Sequence, residues 1–224
     1  MSNVIHFHII TLFPESIEPY LSASILGRAQ LKSGKPKKGD KQKFKISFYN
    51  PRDYIKDRKE RVDRRPYGGG PGMVLAPEPY LKAIAVAVKG KKAEVVFFSP
   101  GGKQFDQATA KKLSNKKDIV LICGHYEGID ARVEKILKAK LISVGPYVLT
   151  GGELPAATVI DAIIRYIPGV LGKEESREDE RVASSEVYTR PEVLKWRGKN
   201  YRVPKVLLSG NHAEILKWKT KRMK

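Results

Sequence analysis

Cysteine is nearly absent: Cys123 is the single one in 224 residues, which excludes an intramolecular disulfide and any zinc site built from several cysteines. No apolar run approaches the roughly 18 residues that a membrane span needs. The amino terminus, Met1-Ser-Asn, carries no basic stretch and Pro14 follows closely, so it does not read as a signal peptide. A cytosolic protein with no membrane partner is expected. Acidic residues are also in short supply. Against 43 Lys and Arg stand 24 Asp and Glu, a net charge of +19, which points to a polyanionic partner with nucleic acid foremost.

The basic excess is concentrated. Seven lysines fall between Lys32 and Lys45, interrupted by Gly34, Pro36 and Gly39, and five basic residues surround the carboxyl end from Lys217 to Lys224. One acidic island, Glu174 to Glu180, lies between them. A charge run is also what a plain solvated loop looks like, and both readings stand for Lys32–Lys45.

Hydrophobic patterning argues for an α/β fold. Val4–Leu12 is a continuous apolar run and predicts a buried strand; Ile17–Leu31 has helical spacing; Phe44–Tyr49 predicts another strand. Asp53–Asp63 is almost wholly charged and predicts an irregular loop, and Pro79–Val88 a helix. Strands at Glu94–Ser99, Ile119–Cys123 and Leu141–Val144 then alternate with helices at Gln107–Leu113, Ile129–Lys138 and Leu154–Tyr166. Apolar strands alternating with helices imply a parallel sheet covered on both faces. This domain is expected to span residues 1–171, with an acidic linker over 172–187 and a small helical appendage over 188–224. Short helices are expected there at Glu192–Trp196 and Ala213–Trp218. About 37 residues can scarcely hold a core alone, so the appendage should need another surface.

Three loops follow three consecutive strands: Ser99–Gly102, Gly124–Asp130 and Gly145–Glu153. Ligands bind at the carboxyl ends of strands in open parallel sheets, and glycines there let the backbone approach a ligand closely. A composite pocket is the expectation. The Tyr67–Met73 run of glycines lacks the Gly-Lys-Ser/Thr ending of a phosphate loop, so a surface loop or hinge is the better reading. His6 and His8 share one face of the first strand, but the sequence shows no third ligand near them, and core histidines are the simpler reading. His125 lies in the second glycine loop with no Ser or Cys nucleophile evidently paired to it. Arg165 reads as a solvated helix-end arginine.

Several ordered motifs carry a family resemblance. Ile9-Ile-Thr-Leu-Phe-Pro-Glu15, Arg65–Met73, Cys123-Gly-His-Tyr-Glu-Gly-Ile-Asp130, Tyr147-Val-Leu-Thr-Gly-Gly-Glu-Leu-Pro155, Arg165–Gly172, Tyr188–Val193 and Leu208–Ile215 together resemble the bacterial tRNA (guanine-N1)-methyltransferases of the SPOUT superfamily. The resemblance implies a SPOUT-type α/β domain with a parallel sheet and a deep trefoil knot, followed by a linker and a small helical C-terminal domain. It implies a homodimer that transfers a methyl group from S-adenosylmethionine to N1 of guanosine 37 in tRNA, with no DNA partner. Carried over by motif, the adenosylmethionine pocket is Pro100, Gly124, Tyr126, Glu127, Val144, Gly145, Pro146, Tyr147, Val148, Leu149, Gly151, Gly152 and Pro155. The catalytic pair is Asp179 and Arg165, and Mg²⁺ is implied with no motif to locate it. His125 and Arg64 stand where the family commonly has Arg and Asp. Two rival classes remain at this point: a non-catalytic basic RNA-binding or ribosome-associated protein, and a nucleotide-dependent phosphotransferase using Gly68–Gly70.

Overall fold

A computed structural model describes residues 4–31, 41–57, 60–171 and 186–221, and the chain divides into two compact units, Met1–Leu171 and Gly172–Lys224. In the first unit, five parallel strands make one sheet. They are β1 (Ile5–Ile10), β2 (Phe44–Tyr49), β5 (Glu94–Gln104), β6 (Asp118–Ile122) and β7 (Lys140–Ser143), in the spatial order β2-β1-β6-β5-β7. Two short strands, β3 (Asp63–Arg64) and β4 (Val74–Leu75), pair antiparallel apart from it.

Strand alternation sorts the core into two layers. Ile5, Phe7 and Ile9 of β1 point with Phe44, Ile119 and Leu121 to one face, where they meet Leu21 of α1 (Glu18–Leu21), Leu26 of α2 (Ser24–Ala29), Ala110 and Leu113 of α4 (Gln107–Leu113), and Val159, Ile160 and Ile163 of α6 (Glu153–Ile164). Ile10, Val120 and Ile122 point the other way, against Tyr80, Ala83 and Ile84 of α3 (Pro77–Val88) and Val133 of α5 (Ala131–Leu137). The fully buried Tyr80 reaches across this second layer and donates its hydroxyl to the Cys123 carbonyl at 3.2 Å, tying α3 to the carboxyl end of β6.

Two expectations change here. Ile17–Leu31 is not one helix but two short ones, α1 and α2. The chain turns at Ser22–Ser24, where Ser24 takes a left-handed φ of 47° that a continuous helix does not accommodate. Ser99–Gly102 does not end β5 as a loop; it is looped out within it. Ile142 of β7 pairs with both Phe98 and Lys103, so four residues leave the ladder and the strand resumes beyond them. Pro100, which has no N–H to give a ladder, sits in the looped-out part. Gly102 closes the bulge, because a Cβ there would lie 2.7 Å from the Ile142 nitrogen.

In the second unit, β8 (Val193–Trp196) and β9 (Lys199–Arg202) form an antiparallel hairpin, followed by α7 (Lys205–Leu208) and α8 (His212–Thr220). The helix expected at Glu192–Trp196 is therefore a strand. Arg197 and Gly198 both have positive φ, 47° and 75°, the conformation of a two-residue turn whose twist matches a hairpin. The helix expected at Ala213–Trp218 is present as α8, with the Asn211 side chain accepting from the Glu214 N–H at its start. None of the described side chains from 186 to 221 is buried.

Candidate active site

The strand order sets the bulge of β5 between the carboxyl ends of β6 and β7, and these three segments enclose a half-open cavity of about 380 Å³. Pro100 from the β5 bulge, Gly124, Tyr126 and Glu127 from the loop after β6, and Val144, Gly145, Tyr147, Val148, Leu149, Gly151, Gly152 and Pro155 from the segment after β7 all line it. Of the pocket residues carried over by motif, Pro146 does not line the cavity. Tyr126 holds a left-handed φ of 59°, unfavourable for a non-glycine residue by about 1–2 kcal/mol, and backbone strain of this kind gathers at functional sites.

The two main loops are fastened to each other through the backbone. Gly152 N–H donates to the Gly124 carbonyl at 3.0 Å, and His125 and Gly151 form an isolated antiparallel bridge. At Gly152 an added Cβ would stand 2.6 Å from Cys123 Cα and 3.1 Å from the Gly124 nitrogen, so only glycine allows this crossing.

Beneath the cavity lies a polar cluster that sequence reasoning missed. Glu153, the first residue of α6, is 5% exposed; it accepts from the Thr11 hydroxyl on one oxygen and meets His125 Nε2 at 2.8 Å on the other. His125 also stands edge-on to Phe13, with ring centroids 4.7 Å apart. The partner for His125 is thus a carboxylate 28 residues away, and the pair joins β1, the loop after β6 and α6. Cys123 is no nucleophile: complete burial, with Glu153 near it, pushes its thiol well above the usual range.

The glycine run also has a structural task beyond a surface loop. Gly72 adopts φ +78°, and a Cβ there would fall 2.4 Å from the Glu127 carboxylate. Glu127 N–H donates to the Met73 carbonyl at 3.1 Å, and Leu75 N–H to the Gly128 carbonyl at 2.9 Å. Gly72–Leu75 therefore forms the rail along which the Glu127 loop is laid. Gly68–Gly70, by contrast, have open space where a Cβ would be.

Arg165 is not brought to this cavity. It caps the carboxyl end of α6 and lines a separate groove of about 490 Å³ with Ser16, Ile17, Tyr20, Leu154, Ala157, Thr158, Asp161 and Ala162. Tyr20 donates to Asp161 across that groove at 2.9 Å. Asp179 and residues 32–40 of the basic loop lie outside the described residues. Among the described residues, one set of three metal-ligating side chains converges, His6, His8 and Asp118, at the opposite end of the sheet. Burial, with His8 beside it, holds the His6 imidazole down to about 4.

Two strand ends and the bulge of the strand between them, all feeding one cavity, define an α/β protein built to hold a small ligand at the carboxyl edge of its sheet. Residues 5–224 match the family model described as tRNA (Guanine-1)-methyltransferase TrmD, and the chain belongs to that family. The tRNA (guanine-N(1)-)-methyltransferase of Caldanaerobacter subterraneus is 46% identical over 217 residues, covering 95% of this chain and 84% of that protein. That of Clostridioides difficile is 43% identical over 220 residues, covering 95% of this chain and 90% of its own length. The solved structure of the tRNA (m1G37) methyltransferase from Aquifex aeolicus matches with a TM-score of 0.77 at 37% identity, covering 98% of this chain and 89% of that one. The α/β domain is accordingly of the SPOUT type. Among the described residues no helix is long and apolar enough to cross a membrane.

Proposed function

We propose that this chain transfers a methyl group from S-adenosylmethionine to N1 of guanosine 37 in tRNA, in the cytoplasm and as a homodimer. The observation that carries the reading is the gathering of the motif residues of three separate loops around one cavity in a chain of this family. The cavity suits the donor in kind. Its volume falls within the usual range for small-molecule sites, and its wall combines the tyrosines 126 and 147 and aliphatic side chains with the Glu127 carboxylate. S-adenosylmethionine, when bound, supplies an electrophilic sulfonium methyl.

The remaining work belongs to the protein. Guanine N1 carries a proton at neutral pH, so its lone pair is not free to attack until a base removes it. Asp179 is the proposed base. An unperturbed Asp, with pKa about 3.9, is far too weak alone, and each unit of mismatch costs about 1.4 kcal/mol. Arg165 is proposed to narrow that gap by placing a guanidinium where negative charge develops on guanine O6. The target base has to leave its stack to enter the pocket.

The homodimer is supported by two observations. Arg165 lines a groove of its own rather than the loop cavity, and that groove is edged by the exposed Tyr20 and Leu154. The described part of the second unit has no buried side chain, which fits a segment that completes itself on a partner surface. The reading also includes a deep trefoil knot in the α/β domain, for which the support is the domain's membership of this family. Mg²⁺ is a different matter. It takes oxygen ligands, and the one convergent donor set among the described residues is rich in imidazole, so no step is routed through it.

Methyl transfer measured on tRNA transcripts bearing G, A or U at position 37 tests the substrate; only the G transcript should be modified at N1. Asp179→Asn should lower single-turnover transfer by about 10²-fold or more, the usual size of a general-base contribution, while adenosylmethionine binding survives. Near-normal transfer by that variant would overturn the assignment of the base.

A further inference from the structure

We propose that the amino-terminal edge of the sheet carries a transition-metal site, suited to zinc, formed by His6, His8 and Asp118. The third donor, which the linear sequence does not offer, is supplied by topology. β1 and β6 are parallel neighbours with His6 opposite Asp118, so a carboxylate from 110 residues away from His8 arrives on the strand beside the two histidines. One ring nitrogen of each histidine and one Asp118 oxygen all lie within 4.8 Å of one another.

The spacing is close to what an ion requires. Zinc bonds of about 2.0–2.2 Å in a tetrahedron keep the donors roughly 3.3–3.6 Å apart. His8 Nε2 and Asp118 Oδ1 stand 3.0 Å apart, so one side of that tetrahedron is nearly in place. Bringing the third donor in from at most 4.8 Å is within the reach of a side-chain rotation. In the metal-free protein a proton on His8 Nε2 bridges to Asp118; the ion takes the position of that proton, which leaves to solvent.

The supporting shell is also built. The second nitrogen of a ligating histidine is ordinarily held by a hydrogen bond, which fixes the ring. Here His8 Nδ1 meets the Tyr49 hydroxyl of β2 at 3.2 Å, which leaves its Nε2 turned to Asp118 and the ion. Asp118 and His6 line an opening of about 370 Å³ that gives an ion an entry path and leaves room for water as the fourth ligand. Lys45, Lys91 and Lys117 line the same opening. They oppose a hard cation held by charge alone and favour an anionic fourth ligand, such as hydroxide or chloride, on a metal bound through imidazole. No part of the loop cavity is involved. The site would staple β1 to β6 and act on stability.

The alternative is a hydrogen-bonded histidine pair that binds nothing, and titration separates the two. The full chain, stripped with chelator, is titrated with Zn²⁺ by calorimetry and with Co²⁺ by visible absorption. One ion per chain is expected, with the intense visible bands of tetrahedral cobalt. Zinc at a hundred times its Kd should raise Tm by about 5–10 °C. His6→Gln and Asp118→Asn, both at partly exposed positions, should each weaken binding at least tenfold. His8 is buried, and His8→Ala can fail by unfolding, so X-ray absorption at the zinc edge supplies the independent check: two imidazoles and at least one oxygen in the first shell. Absence of saturable binding at millimolar Zn²⁺ overturns the proposal, as does stoichiometric binding that survives both His6→Gln and Asp118→Asn.

Discussion

Replacing Gly152 by alanine adds one methyl group at a place with no room for it. Gly152 has an ordinary φ of −84°, so the substitution brings no backbone strain of its own, and its whole effect is steric. The new carbon would stand 2.6 Å from Cys123 Cα, where non-bonded carbons rest at about 3.5–4.0 Å. Relief requires about an ångström of separation between two pieces of backbone. One is anchored by the Cys123 N–H bond to Ile10 at 2.9 Å; the other starts α6, whose inner face is fully buried. Moving them apart loosens the Gly152–Gly124 hydrogen bond. Overpacking costs about 1–3 kcal/mol and a lost buried hydrogen bond about 1 more, together about 2–4 kcal/mol. For a chain of this size that corresponds to a fall in Tm of about 5–15 °C. Thermal unfolding followed by circular dichroism measures it, with Gly101→Ala as control, since Gly101 is not left-handed and a Cβ there would meet nothing nearer than Ser99 Oγ at 4.0 Å. Calorimetry should show adenosylmethionine binding weakened as well, because the displaced segments form the cavity wall. A Gly152→Ala protein that melts within a degree of the parent and binds the donor normally would refute the close crossing.

Gly72→Ala should spare the core but push Glu127 out of place; adenosylmethionine affinity should fall about tenfold or more, while Tm drops only by the few degrees that a left-handed alanine costs, about 1–2 kcal/mol. Mixing Arg165→Lys chains with Asp179→Asn chains, each inactive alone, should restore up to about one quarter of parental methyl transfer if a site takes one residue from each subunit, because half of the randomly mixed dimers then hold one intact site of two. No restoration on mixing would place both residues in one chain. Neutralising Lys35, Lys37, Lys38 and Lys41 should raise KM for tRNA and flatten its salt dependence without moving donor affinity, as expected when fewer counterions are released; an unchanged KM and slope would mark the basic loop as merely solvated.

Local signals were legible in the sequence wherever one residue's neighbours in the chain decide its state. β2 and α4 fall on the expected residues, Phe44–Tyr49 and Gln107–Leu113, because a strand bounded by Asn50-Pro51 and a helix capped by Asp106 announce their own ends. The glycine-rich turns of the cavity were legible in the same way, while its individual residues were named only through the family resemblance. What was hidden depends on partners distant in sequence. The bulge at Ser99–Gly102 exists because Ile142 pairs twice. His125 found Glu153, and His8 found Asp118, only after the sheet was assembled. The strand Val193–Trp196 falls where a helix is expected at Glu192–Trp196 because so short a run fits either period, and the left-handed Arg197-Gly198 turn that decides the matter is a weak signal in one dimension.

The double pairing of Ile142 has a consequence for how this pocket can change. Inserting one residue into an ordinary strand turns every later side chain to the opposite face of the sheet. In β5 the ladder breaks at Phe98 and resumes at Lys103 against the same partner, so the segment between them can lengthen or shorten while the strand on either side keeps its facing. Gly102 alone must stay, since it closes the gap against β7. One wall of the cavity is thereby released from the register of the sheet, an allowance for insertions and deletions at a place in an internal parallel strand where they would alter ligand fit and leave the core intact.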